Sequence, residues 1–226
     1  ARKQCRLGAI VLKDQPWLHP DPEHVSDALI QGIRQAGITI LPWTKDLLQW
    51  RARVEFLRRV EGTNSTWPDL SDRGLLDRLE DWLRPFVTTL MGLDHIQRMD
   101  LTAPLRALLT WEQQKRLDEW APSHVAVPSG SRIRVNYENA ELPVLSVRLQ
   151  EMFGCEETPK IANGKVPVTI HLLSPAGRPV QVTLDLKNFW RSGYSAVRKE
   201  LRGRYPKHDW PEDPLSAPPT RRIKAH

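Results

Sequence analysis

The hydrophobic pattern changes its period at Pro122, and that change limits the fold more than any other feature of the chain. Before Pro122, apolar residues recur at helical spacing. After it come short alternating stretches bounded by Pro, Gly and Ser. Such a chain is neither a pure helical bundle nor a pure barrel. It reads as α+β, with a helical first half followed by a small mainly antiparallel sheet, a C-terminal helix and an extended Pro-rich tail.

The helical half carries its own start and stop signals. Residues 6–12 look like one strand with nothing before it to pair with. Asp21-Pro22-Glu23 then supplies a capping side chain, Pro at the first helical position and an acid at the positive end of the dipole. Gly37 is the matching stop. Thr44 caps a second helix with Leu47, Trp50, Arg51, Val54 and Leu57 on one side. Ser71 opens a third that runs through Leu75, Leu79, Trp82 and Leu83 and ends near Pro85. Shorter helices follow near 94–99, 103–109 and 111–120, the last capped by Thr110.

Past Pro122, residues 124–127 and 132–137 flank the turn Pro128-Ser129-Gly130. Ile133, Val135 and Tyr137 share one face, with Arg132, Arg134 and Asn136 on the other. Residues 145–153 fit strand or helix, and Gly154 after them favours a short helix. Residues 166–173 and 180–184 form a second hairpin around 174–179. A helix runs from Asp185 toward Arg204, and five prolines from Pro206 onward keep the end extended.

Charge separates the segments further. The chain has 33 Lys+Arg and 27 Asp+Glu, a net charge of +6. Residues 1–122, 123–186 and 208–226 are each balanced, so the excess lies in 187–207: Lys187, Arg191, Arg198, Lys199, Arg202, Arg204 and Lys207 against Glu200 alone. A block of that kind bears on partners rather than on fold. On a wheel of 100° per residue with Arg191 at zero, Arg198 falls near about −20°, Arg202 near about +20° and Lys187 near about −40°, beside an apolar edge of Trp190, Tyr194, Val197 and Leu201. One edge packs on the body and the basic stripe meets phosphates, which arginine can bind bidentately. No sequence-reading module accompanies the stripe, so the contact would be to nucleic-acid backbone whatever the sequence. Ser192-Gly193 is the weak point, because a mid-helix glycine costs about 1 kcal/mol against alanine.

Other chemistries lack support. The seven histidines are scattered, with no His-Glu-x-x-His pair, and two cysteines cannot make Cys-x-x-Cys twice, so no metal site is expected. Asn163-Gly164-Lys165-Val166 superficially looks like a phosphate loop, but Pro159 and Val166 stand where Gly and Ser or Thr are required. No Gly-x-Ser-x-Gly elbow occurs, and no catalytic residue is assigned. Hydrophobic content of 40% with nine Trp argues against a disordered chain. The apolar run 9–12 is far below the ~20 residues of a membrane span, so no membrane partner is expected. Cys5 and Cys155, far apart, suit a reducing, cytoplasmic setting.

Long strings then narrow the reading. The run from Phe189 through Pro214 resembles the C-terminal signature of the HrpB family, bacterial DEAH-box ATP-dependent RNA helicases. Ile40-Leu41-Pro42-Trp43, Trp67-Pro68-Asp69-Leu70-Ser71-Asp72 and Leu79-Glu80-Asp81-Trp82-Leu83 resemble it as well. So do Val127-Pro128-Ser129-Gly130-Ser131-Arg132-Ile133, Val147-Arg148-Leu149-Gln150-Glu151-Met152-Phe153-Gly154, His171-Leu172-Leu173-Ser174-Pro175 and Arg178-Pro179-Val180-Gln181-Val182-Thr183.

The resemblance implies the region after the motor. The family's phosphate loop and Asp-Glu-Ala-His box have no counterpart in these residues, so this piece would neither hydrolyse ATP nor unwind RNA alone. ATP and Mg²⁺ are expected for the parent motor domains and no cofactor for this piece. Residues 1–14 would be a remnant strand of a preceding accessory domain, 15–121 a helical region, 122–205 a small α+β C-terminal domain and 206–226 the Pro-rich tail. Two functions stay open. In one, the basic stripe grips RNA, or another nucleic acid, beside the motor. In the other, the helical half and the tail form a scaffold that docks the motor domains or a partner, with the cations merely paired to nearby acids such as Glu156, Glu157 or Asp213.

Overall fold

A computed structural model of the chain describes residues 2–16, 21–88, 93–138 and 141–221. The chain divides into two compact units, residues 1–51 with 66–114 and residues 52–65 with 115–226.

The first unit opens with a hairpin of β1 (Arg2–Leu7) and β2 (Ile10–Pro16) rather than one strand. Gly8 takes φ +58°, a left-handed conformation that turns the chain so that Leu7 pairs with Ile10. The single apolar run of the sequence is therefore the tip of a hairpin. Helix α1 (Pro22–Ala36) starts where the Asp21 carboxylate accepts from the Glu23 N–H at 3.0 Å, and Gly37 ends it. Ile30 and Ile33 fill its buried face. At the start of α2 (Lys45–Glu61), Thr44 Oγ1 accepts from the Leu47 N–H at 3.2 Å.

The expected third helix is three short ones: α3 (Asp72–Asp77), α4 (Leu79–Trp82) and α5 (Arg84–Val87). The break comes at Arg78, whose φ −106° and ψ 20° leave the helical region. Pro85 lies in the first turn of α5, where it needs no N–H partner, and starts a helix instead of ending one. The buried Trp82 indole donates to the Leu75 carbonyl at 3.0 Å and holds the broken segment together. Helices α6 (Leu93–Ile96), α7 (Thr102–Arg106) and α8 (Trp111–Trp120) follow. Before α8, Thr110 Oγ1 accepts from the Gln113 N–H and the Gln113 side chain accepts from the Thr110 N–H, a reciprocal capping box.

The second unit contains β3 (His124–Ala126), β4 (Arg132–Asn136), β5 (Val144–Arg148), β6 (Lys160–Ile161), β7 (Val166–Pro167), β8 (Thr169–Leu173) and β9 (Pro179–Thr183). Five of them make one sheet in the order β3-β4-β5-β8-β9, antiparallel except for the β5–β8 pair. Residues 145–153 are mostly not helix. Leu145 and Val147 are buried while Ser146 and Arg148 are exposed, a period of two that makes Val144–Arg148 a central strand. Only Leu149–Met152 coil, as a 3₁₀ turn. Val135, Leu145, Val147, Ile170 and Leu172 are all at most 1% exposed, so one face of the sheet is core.

The last helical segment begins at Asp185, whose carboxylate accepts from the Asn188 N–H at 2.9 Å. It comprises α9 (Leu186–Asn188), a π turn (Phe189–Gly193) and α10 (Tyr194–Arg204). Phe153, Phe189, Trp190 and Tyr194 form an aromatic cluster with centroids 5.0–6.4 Å apart. Cys5 and Cys155 are free thiols. Among the described residues, no helix is long and apolar enough to cross a membrane.

Candidate nucleic-acid interface

The π turn decides where the basic residues of 187–207 point. The Tyr194 N–H bonds to the Phe189 carbonyl, one residue further back than in an α-helix. Gly193 is required there, because a Cβ on it would lie 2.8 Å from Phe189 Cδ2. Ser192 turns its hydroxyl back onto the Asn188 carbonyl at 2.8 Å. A wider turn advances less per residue than 100°, so the wheel loses registration between Arg191 and Arg198. The buried edge of Trp190, Tyr194 and Leu201 is as the wheel places it, but the seven cations do not form one stripe.

Three of the seven are held by acids. Lys187 Nζ lies 2.7 Å from Glu156 and 3.7 Å from Glu157. The bond to Glu156, and then the charges of both carboxylates, hold its ammonium above the usual lysine range. Arg198 is 22% exposed; it donates from Nε to the Trp210 carbonyl at 2.9 Å and pairs with Glu212 at 3.1 Å. Arg204 pairs with Glu200 one turn back, at 3.3 Å. Among the described residues Asp213 takes no cation. It accepts from the Leu215 N–H and the Ser216 hydroxyl, and these bonds hold its carboxyl below the usual range.

The side chains of Arg191, Lys199, Arg202 and Lys207 have neither a hydrogen bond nor an ion pair with any described residue. All four are exposed. Lys199 and Arg202 join Arg198, Ser195 and Gly203 around a shallow concavity of about 490 Å³ on α10. The fold thus brings three of the expected residues to one rim and sends Lys187 and Arg204 into local pairs.

The Pro-rich tail is extended, and it is packed. Trp210 is 6% exposed and its indole donates to the Tyr205 carbonyl at 2.8 Å. Tyr194 Oη donates to the Pro211 carbonyl, Gln150 Nε2 to the Asp209 carbonyl, and the Gly154 N–H to the Pro214 carbonyl. Arg198 belongs to this strap as much as to any surface.

A second cationic surface is on the open face of the sheet. The five strands contain three arginines and two histidines and no acid. Arg132, Arg134, Arg148 and His124 are exposed and His171 half-exposed, all on the face opposite the core. Summing over 123–186 concealed them, because the six acids of that stretch lie outside these strands. The alternation of Arg132 and Arg134 with Ile133 and Val135 was the signal available.

Asn163-Gly164-Lys165 is the turn between the two-residue strands β6 and β7, with φ +54° at Asn163 and +77° at Gly164 and no helix N-terminus behind it. Among the described residues no group of three or more His, Cys, Asp or Glu is placed to hold a metal.

The family described as ATP-dependent helicase C-terminal, HrpB_C, matches residues 82–214. The ATP-dependent RNA helicase HrpB of Escherichia coli strain K12 is 42% identical over 230 residues, which cover 100% of this chain and 28% of that protein. The crystal structure of the E. coli DExH-box NTPase HrpB matches 98% of this chain and 27% of its own, at TM-score 0.83 and 42% identity. That of the Escherichia coli DEAH/RHA helicase HrpB matches 92% and 26%, at TM-score 0.72 and 40% identity. The chain spans little more than a quarter of the length of these relatives.

Proposed function

Because the chain belongs to the HrpB family of ATP-dependent helicase C-terminal regions, we propose that it is an accessory region that binds RNA backbone beside the helicase motor. The observation that carries this reading is the set of four cations on and around α10, Arg191, Lys199, Arg202 and Lys207, with no partner among the described residues. An exposed arginine or lysine that no acid restrains gains most from a phosphate and releases counterions on binding. On this reading ATP and Mg²⁺ serve the motor domains of the cytoplasmic parent protein, and no residue of this chain is assigned to them.

The test is a salt series of gel-shift titrations with single-stranded RNA. Changing Arg191, Lys199 and Arg202 together to Glu is expected to lower affinity at 0.15 M salt at least tenfold. Loss of three phosphate contacts flattens the salt slope by about 2. An unchanged affinity and slope would remove α10 as the site. Arg198 is left in place because it ties down the tail.

One observation favours the scaffold reading. Leu7, Ile10 and Leu12 of the β1–β2 hairpin are 61–68% exposed, an apolar tip suited to docking on another domain of the parent chain. Changing all three to Ser would leave RNA binding intact on the first reading and uncouple RNA-stimulated activity of the full helicase on the second.

A further inference from the structure

We propose that the open face of the five-stranded sheet is a second nucleic-acid surface, which seats one base of a single strand between β4, β5 and β8 and its phosphates on Arg132, Arg134 and Arg148. This inference extends binding to a surface separate from α10 and fails independently of it.

The register places these groups. Val135 pairs with Leu145, and Asn136 with Val144. Carried along the strands, that register sets Arg134 beside Ser146 and Arg132 beside Arg148. Ser146 in turn pairs with His171, and His124 with Arg134. One row across the open face therefore reads His124, Arg134, Ser146, His171. Neighbouring rows are ~6.6 Å apart along the strands and adjacent strands ~4.8 Å apart.

Like charges directly opposite each other weaken a strand pair. The continued register would put Arg132 and Arg148 in that relation, and neither has an acid in ion-pair range among the described residues. The field reaches further. Burial and then the Arg148 guanidinium push the His208 imidazole below its ordinary range. An anionic ligand relieves this repulsion.

The other end of the same face differs. Asn136, Ser146, Thr169 and His171, with Glu138, Glu141, Leu142 and Val144, line a concavity of about 560 Å³. Asn136, Ser146 and Thr169 donate and accept as base edges require, and the two carboxylates accept from a base amino group while repelling phosphate. An acidic peptide would meet Glu138 and Glu141 as like charges. The division into an arginine end and an end of neutral polar groups and carboxylates fits a nucleotide, with Ser146 at the boundary. Single strands suit it because their bases are free to turn into a pocket.

The experiment compares three forms of the 226-residue chain on a fluorescent single-stranded RNA over a salt series: the parent, Arg132→Gln/Arg134→Gln/Arg148→Gln, and Asn136→Ala/His171→Ala. The arginine variant is expected to lose at least tenfold in affinity at 0.15 M salt and to flatten the salt slope by about 2. The pocket variant is expected to lose affinity by the same factor at every salt concentration, with its slope unchanged. Circular dichroism melts of all three establish that the fold survives. A 4-thiouridine strand is expected to cross-link to β4, β5 or β8, and a variant that melts early is judged by cross-linking of the parent alone. Parental affinity in both variants overturns the inference, as does cross-linking confined to α10. Loss of polyglutamate binding with RNA binding intact overturns it in favour of an acidic protein. The α10 variant described above carries its own slope, so either surface fails without the other.

Discussion

Ser129 donates its hydroxyl to a carboxylate oxygen of Glu151 at 2.8 Å, and Ser131 donates to the same oxygen. The Ser129 N–H also bonds to the Glu151 carbonyl at 3.3 Å. Glu151 is only 6% exposed. The contact latches the β3–β4 turn onto the 3₁₀ turn that follows β5, and Gly130, at φ +79°, gives the turn its shape. Two strings of the resemblance, around Ser129 and around Glu151, are the two halves of this latch.

Changing Glu151 to Ala leaves two half-buried hydroxyls without this acceptor. A cost of about 2 kcal/mol is expected, read as a lower urea midpoint with an unchanged m-value. Ser129→Ala alone should cost about 1 kcal/mol, because Ser131 still holds the carboxylate.

Arg53, 6% exposed on the C-terminal part of α2, closes the end of α8. Its Nε donates to the Ala121 carbonyl at 2.5 Å and one terminal nitrogen reaches the Leu117 carbonyl at 3.0 Å and Asp118 at 2.7 Å. Arg53→Met frees those carbonyls and is expected to cost about 3 kcal/mol in chemical denaturation. Asp118 is 82% exposed, so Asp118→Ala should cost under about 1 kcal/mol.

Two glycines of the last helical segment should respond oppositely to alanine. Gly203 faces open space and has no positive φ, so Gly203→Ala is expected to raise stability by up to about 1 kcal/mol. Gly193 abuts the Phe189 ring, so Gly193→Ala is expected to lower it by about 1–2 kcal/mol despite the better helix former. Paired thermal melts decide both.

Burial raises the Tyr194 hydroxyl to about 12, with Arg198 pulling slightly the other way. Its unfolded value is near 10. A group raised on folding contributes stability that is complete below the unfolded value and is lost as pH climbs through the folded one. Stability should therefore fall between pH 10 and 12. Burial raises Tyr137 too. Tyr194→Phe is expected to weaken that pH dependence in urea titrations and to speed proteolysis of the tail, since the bond to Pro211 is lost.

Helix starts were legible because a cap is a local event. Asp21, Thr44, Ser71, Thr110 and Asp185 each bind an N–H two or three residues on. The change of period at Pro122 was legible for the same reason, since alternation needs only the strand itself. The third helix breaks where Arg78 leaves helical angles, and in residues 145–153 pairing between β4 and β8 overrides a local helical signal.

The sequence by itself determined the α+β class, the family strings, the buried aromatic edge and the seven cations of 187–207. Which of those cations stay available was decided by tertiary structure. Glu156, Glu157 and Glu212 reach Lys187 and Arg198 from 14 to 31 residues away, and Arg191 lies in a π turn ahead of α10. The arginines of the sheet were hidden for the converse reason. A sum along the chain cancels charges that are neighbours in sequence, while strand pairing sorts them by face and sends the acids to the turns and ends. Charge is a property of residues, but a field is a property of their positions.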